Sequence, residues 1–192
     1  NSGDFPDWGN PVGEMMYEAV RYFAGKAKAT TTYSSSTTVD QAVGLPIDVT
    51  WDNPYAKAEY CARSNMLVIS DTNTSYDSDE LPGVYSGFGS FSGDLTGLNV
   101  LTEAGSITSL ESNVTGLRFI GQSNGDEDFA PTAKVVTNLG TVRGLAPEEP
   151  TKEGSYYSAS VAYYAKKTDL QPDLIDDKTR QSIDTFVVAL AS

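Results

Sequence analysis

Asn65-Met66-Leu67-Val68-Ile69-Ser70-Asp71 is the stretch whose reading decides the fold. Four apolar residues in a row, with no polar alternation, predict a β-strand buried on both faces, as in a parallel sheet covered by helices. Asp71 stands at its carboxyl end, and open α/β sheets bind ligands just beyond the carboxyl ends of their strands. The loop that follows, from Asp71 to Glu80, is dense in oxygen donors. Asp71, Asn73, Ser75, Asp77 and Asp79 alternate as ligands do in a calcium loop. Asp71, Asn73, Asp77 and Asp79 are therefore the candidate ligands for a Ca²⁺ or Mg²⁺ ion. The EF-hand pattern is incomplete, because Tyr76 replaces its central Gly and Pro82 its terminal Glu. An ordinary solvated loop is the competing reading.

Working outward, Gly9-Asn10-Pro11 opens a helix predicted from Pro11 to Ala24. Asn10 is the expected N-cap, Pro11 suits the first helical position and Gly25 the stop. Val12, Met15, Met16, Ala19, Val20 and Phe23 share its apolar face. Residues 26–60 read as a loop-rich insertion with a turn at Trp51-Asp52-Asn53-Pro54 and a short helix at about Ala56–Tyr60. Residues 72–116 form a second insertion, with a short helix from Leu101 to Leu110. Its stretch Gly87-Phe88-Gly89-Ser90-Phe91-Ser92-Gly93 suggests an excursion whose aromatic rings either form a contact patch or fold back onto the core.

Leu117-Arg118-Phe119-Ile120 reads as a second strand and Asn124-Gly125-Asp126-Glu127-Asp128 as a charged turn. Thr151 is the expected N-cap of a helix running to Lys167, with Tyr157, Val161, Tyr164 and Ala165 on its buried face. Asp184-Thr185-Phe186-Val187-Val188-Ala189-Leu190 closes the chain as a buried strand. Strand, helix and strand in this order predict a mostly parallel α/β layer.

Composition removes whole classes of function. The 192 residues carry 13 Lys and Arg against 26 Asp and Glu, a net charge of −13, so no basic stripe is present to track phosphates. The same charge opposes docking on anionic lipid. Histidine is absent, which excludes an imidazole base and a histidine metal site. Cys61 is the single cysteine, so no disulfide closes within the chain and any metal must be held by oxygen. No apolar run reaches the length of a membrane span. The chain begins at Asn1 rather than Met, and we expect it to be a processed or excised piece of a longer protein. Glu14 with Glu18, Glu148 with Glu149, and Asp176 with Asp177 are the carboxylate pairs a glycosidase would need. No partner base or nucleophile accompanies them, and caps or solvated faces account for them.

Several long stretches resemble the PilY/PilC-type proteins of type IV pili. They are Trp8–Gly25, Gly89–Leu95, Pro147–Tyr157, Asp169–Leu174 and Ile183–Ala191, in one order along almost the whole chain. The resemblance implies a tip-associated adhesin and assembly factor whose N-terminal region is von Willebrand factor A-like. It implies an exported, extracellular protein at the pilus tip, with minor pilins or pilus subunits and a host or surface receptor as partners. Such domains hold a divalent ion through an Asp-x-Ser-x-Ser loop, a Thr loop and a later Asp. Asp71 matches the later Asp. No Asp-x-Ser-x-Ser occurs here, and the strand that carries it would precede Asn1. The resemblance also places cysteines near Ala130 and Ala146, where this chain has alanine. We therefore expect one von Willebrand factor A-like fragment over residues 1–192, an incomplete α/β domain of non-enzymatic function. A structural subunit of an extracellular filament and a secreted carbohydrate-acting enzyme are the alternatives.

Overall fold

The decisive stretch forms strand β1, Ser64–Asp71, in the computed structural model, which describes residues 9–33, 41–44, 50–56, 62–146, 150–174 and 180–190. Its partner is β5, Ile183–Leu190, paired in parallel register from Ser64 opposite Ile183 to Asp71 opposite Leu190. A parallel pair needs a long crossover, and here most of the other elements lie between the two strands. The intervening elements are α2 (Val100–Leu110), β2 (Gly116–Ser123), β3 (Asp126–Val136), β4 (Val142–Arg143) and α3 (Tyr157–Lys167), with α1 (Val12–Phe23) preceding β1.

The α/β expectation holds, but among the described residues the parallel layer is two strands wide. Leu117–Ile120 lies within β2, which joins no parallel sheet. It pairs antiparallel with β3 on one side and β4 on the other. The predicted charged turn is shorter than expected. Asn124 and Gly125 alone make it, at φ 52° and 87°, the left-handed pair of a type I′ hairpin turn. Asp126, Glu127 and Asp128 belong to β3. The parallel strands also depart from the expectation of burial on both faces. Met66 and Ile183 are buried, whereas the alternate residues Leu67, Ile69, Phe186 and Val188 are exposed.

Helix α1 follows its predicted bounds closely. Val12, Met16, Tyr17 and Val20 bury its inner face, each contributing roughly 1.5–3 kcal/mol. Its end is a Schellman turn. The Lys26 N–H reaches Arg21 O at 3.1 Å and the Gly25 N–H reaches Tyr22 O at 3.0 Å, with Gly25 at φ 72°. The start of α3 is a correction, because Thr151 sits in a separate 3₁₀ turn, Pro150–Lys152, and the helix begins at Tyr157. Ser155 explains the shift. Its Oγ accepts the Tyr157 N–H at 3.2 Å, the role expected of Thr151.

Tyr157, Val161, Tyr164 and Ala165 of α3 meet Val12, Met16, Tyr17 and Val20 of α1 in the main core, with Met66 and Ile183 beneath. Tyr157 and Tyr164 thus pack inside. A second, smaller core joins Ile120, Val136 and Val142 under the antiparallel sheet. The predicted turn near Trp51 is present, with the Tyr55 N–H bonded to Asn53 Oδ1 at 2.9 Å. The short helix at Ala56–Tyr60, Cys61, Glu148 with Glu149, and Asp176 with Asp177 fall wholly or almost wholly outside the described residues.

Candidate functional site

The carboxyl end of β1 is organised by Asn10. Its Nδ2 donates to Ser70 Oγ at 2.8 Å, to Asp71 Oδ1 at 3.0 Å and to Asn73 O at 2.9 Å. Its backbone N–H donates to Ser75 Oγ at 2.7 Å, and its carbonyl accepts the Ser75 N–H at 3.0 Å. The side chain expected to cap α1 therefore clamps the loop after β1 instead, and no side chain caps the helix. Asp71 Oδ1 also accepts the Asn73 N–H at 2.9 Å, closing an Asx turn.

Asp77 leaves that loop altogether. It is fully buried, and its Oδ1 accepts the Ser155 N–H at 2.7 Å just before α3. Its Oδ2 lies beside Gly13 in the first turn of α1. One carboxylate thus faces the positive ends of two helices, where negative charge is favoured. Burial nevertheless pushes its pKa up to about 6, against the lowering effect of hydrogen bonds from Ser155 and the Gly13 backbone. Asp79 is exposed and lies beside Glu80 and Glu14.

The four candidate ligands are thus divided. Asp71 and Asn73 share the Asn10 clamp, Asp77 is spent on α3, and Asp79 faces a different carboxylate group. Among the described residues, no group of three or more His, Cys, Asp or Glu side chains is gathered to hold a metal ion. Oδ1 of Asp71 and Oδ1 of Asp77 each already receive protein N–H groups, and the four side chains lie in separate surroundings, so this arrangement does not fit a shared cation.

Glu14 is the most perturbed carboxylate. Only 8% exposed, it is pushed up to about 8 by burial first, then by the charges of Glu80, Asp79 and Asp77. Glu18, paired with it in the sequence reading, is committed elsewhere. It pairs with Arg21 at 3.0 Å and accepts the Thr30 N–H at 3.0 Å.

The aromatic excursion resolves in favour of the core. Phe88 is buried, stacking edge-on with Tyr85 at 5.2 Å and with Tyr157 at 6.3 Å, beneath the Arg143 guanidinium at 4.6 Å. Phe91 meets Tyr17 edge-on at 6.1 Å. The excursion is fastened further by Asp94, whose two oxygens accept Arg21 Nε at 2.8 Å and Nη2 at 3.0 Å. That bidentate pair holds the Asp94 carboxyl below its usual range.

Sequence reasoning missed the surface that replaces it. On the outer side of the β2–β3 hairpin, Leu117, Phe119 and Val135 are 61%, 74% and 59% exposed. Leu117 stands directly opposite Val135. The signal was present as Asn124-Gly125 between two β-rich runs. Also missed was Lys134, whose buried ammonium donates to Ile120 O at 2.9 Å, Asp128 Oδ1 at 2.5 Å, Ala130 O at 3.1 Å and Thr132 Oγ1 at 2.6 Å. It fills a bulge where the register moves from Ile120 opposite Thr132 to Gln122 opposite Glu127.

A buried carboxylate between two helix ends and an apolar hairpin face describe a scaffold with contact surfaces. Comparison with known families gives that scaffold its place. The family described as "PilY1 homolog, second domain" matches residues 1–165, and the chain belongs to it. The type IV pilus biogenesis factor PilY1 homolog of Xylella fastidiosa (strain Temecula1 / ATCC 700964) is 42% identical over 196 residues. The alignment covers 96% of this chain and 13% of that protein. No solved structure matches. Two of the stretches that carried the resemblance face each other in the fold, since Arg21 of one binds Asp94 of the other.

Proposed function

We propose that the chain is a non-enzymatic contact module of a type IV pilus biogenesis protein, serving pilus assembly and adhesion at the pilus tip outside the cell. The observation that carries this reading is the family match along most of the chain, together with the biogenesis role in the name of the Xylella relative. Its partners are then minor pilins or other pilus subunits, and a receptor on a host or other surface. The buried state of Glu14 and Asp77 supports a non-enzymatic reading, because a substrate cannot reach them. The finer fold reading, a von Willebrand factor A-like layer, draws on the parallel β1–β5 pair and on Asp71 at its carboxyl end.

The hairpin face supplies the contact. Antiparallel sheets commonly leave one face to water, so burial during folding does not demand apolar residues there. Leu117, Phe119 and Val135 make an apolar patch suited to a pilus subunit. Leu117→Ser with Phe119→Ser, introduced into the pilus protein in cells, is expected to reduce surface pili or adhesion at unchanged melting temperature. Normal piliation and adhesion in that variant would remove the hairpin from the contact surface.

A further inference from the structure

We propose that the bulge of β3 is a cation-binding cage, sized for a monovalent ion, in which the chain's own Lys134 ammonium is the resident. The register sets residues 128–131 of β3 opposite Gly121 alone, between Ile120 opposite Thr132 and Gln122 opposite Glu127. That detour interrupts the ladder and curls β3 around one point. Phe129, at φ 47°, takes a left-handed bend within it. The point enclosed is the Lys134 Nζ, whose side chain is 1% exposed.

Four oxygens surround that nitrogen: Asp128 Oδ1 at 2.5 Å, Thr132 Oγ1 at 2.6 Å, Ile120 O at 2.9 Å and Ala130 O at 3.1 Å. An ammonium has three protons, so at least one oxygen faces the charge without a proton of its own. The set therefore answers to a charge rather than to three donors. Groups other than Lys134 hold it in place. Asp128 Oδ1 accepts the Ala130 N–H at 3.0 Å, and its Oδ2 accepts the Thr132 hydroxyl at 2.5 Å. The Thr132 proton is thereby spent, and its lone pairs are left for the nitrogen.

Carboxylate, hydroxyl and carbonyl oxygens are the donors that hard cations take. Size then selects among those cations. Ca²⁺ sits about 2.3–2.6 Å from its oxygens and Mg²⁺ closer still, whereas the two carbonyls here stand at 2.9 and 3.1 Å. The cage matches an ion as large as ammonium, which means ammonium itself or potassium, whose hydration carbonyl dipoles replace. The Asp128 side chain, 44% exposed, gives such an ion a way in from solvent. Shortening Lys134 vacates the centre and leaves the oxygens where Asp128 fixes them. The inference does not depend on the pilus role of the hairpin face.

Melting temperatures in chloride salts of one ionic strength, roughly 0.2 M, test it. In choline chloride, Lys134→Ala should melt more than about 5 °C below the unaltered protein, because the four oxygens lose their shared partner. Potassium or ammonium chloride should restore at least about half of that loss. The unaltered protein should melt alike in all three salts. Lys134→Met, whose side chain still fills the centre, should gain nothing from potassium. Equal melting of Lys134→Ala in the three salts would overturn the proposal. So would the same potassium gain in Lys134→Met or in the unaltered protein. If Lys134→Ala stays unfolded in every salt, nitrogen-15 NMR of the unaltered protein decides. The Lys134 ammonium protons should exchange slowly enough to be observed at neutral pH, unlike those of exposed Lys28. Exchange as fast as at Lys28 would show that no cage encloses the charge.

Discussion

Glu14 shows how a single residue sets a pH dependence. Its folded form holds its proton to about pH 8, while the unfolded chain releases it near 4.5. The folded state therefore binds more protons between those values. The stabilisation is complete below pH 4.5 and is lost as pH rises through about 8. Asp77 acts in the same direction between 3.8 and about 6. We expect the melting temperature to rise by roughly 3–8 °C on going from about pH 8.5 to pH 5. Glu14→Gln should remove most of that rise, and a thermal scan that keeps the full slope in the variant would reassign it. Asp71 leads to the opposite kind of expectation. Its oxygen is occupied by the Asn10 amide and the Asn73 N–H. Millimolar Ca²⁺ or Mg²⁺ should leave the melting temperature unchanged, since only a ligand of the native state raises it. A rise abolished by Asp71→Ala would restore a cation site to this loop.

At the level of elements, the aromatic excursion behaves as part of the core. Removing the Phe88 ring empties a space bounded by Tyr85, Tyr157 and Arg143. Phe88→Ala should cost about 3–5 kcal/mol in urea denaturation. A loss of adhesion at full stability would instead return the ring to the surface. The elements that could be read from sequence were those with a clean period. Val12, Met16 and Val20 recur every four residues, and Met66–Ile69 and Phe186–Leu190 run apolar. Strand β3 escaped because Asp126, Glu127 and Asp128 resemble a loop, Pro131 interrupts, and the Lys134 bulge breaks alternation. Burial of the Lys134 ammonium depends on carbonyls far apart in sequence, from Ile120 to Ala130, which no local pattern reveals. The candidate site was only partly legible for the same reason. The oxygen-rich loop was visible, but the partners that divide it, Asn10 and Ser155, come from before and well after it.

At the scale of the whole molecule, a net charge of −13 opposes compaction. Raising sodium chloride from roughly 20 mM to roughly 0.5 M should increase the melting temperature by a few degrees, because screening weakens that repulsion. A decrease would show that ion pairs such as Arg21–Asp94 outweigh it. Such a surface gathers mobile cations, which come and go with the medium. The bulge of β3 is exempt from that traffic. Its positive charge is tethered to the backbone at Lys134, so no chelator can strip it and no dilution can release it. The shape of the hairpin beside Phe119 thus depends on a charge that belongs to the chain rather than to the medium.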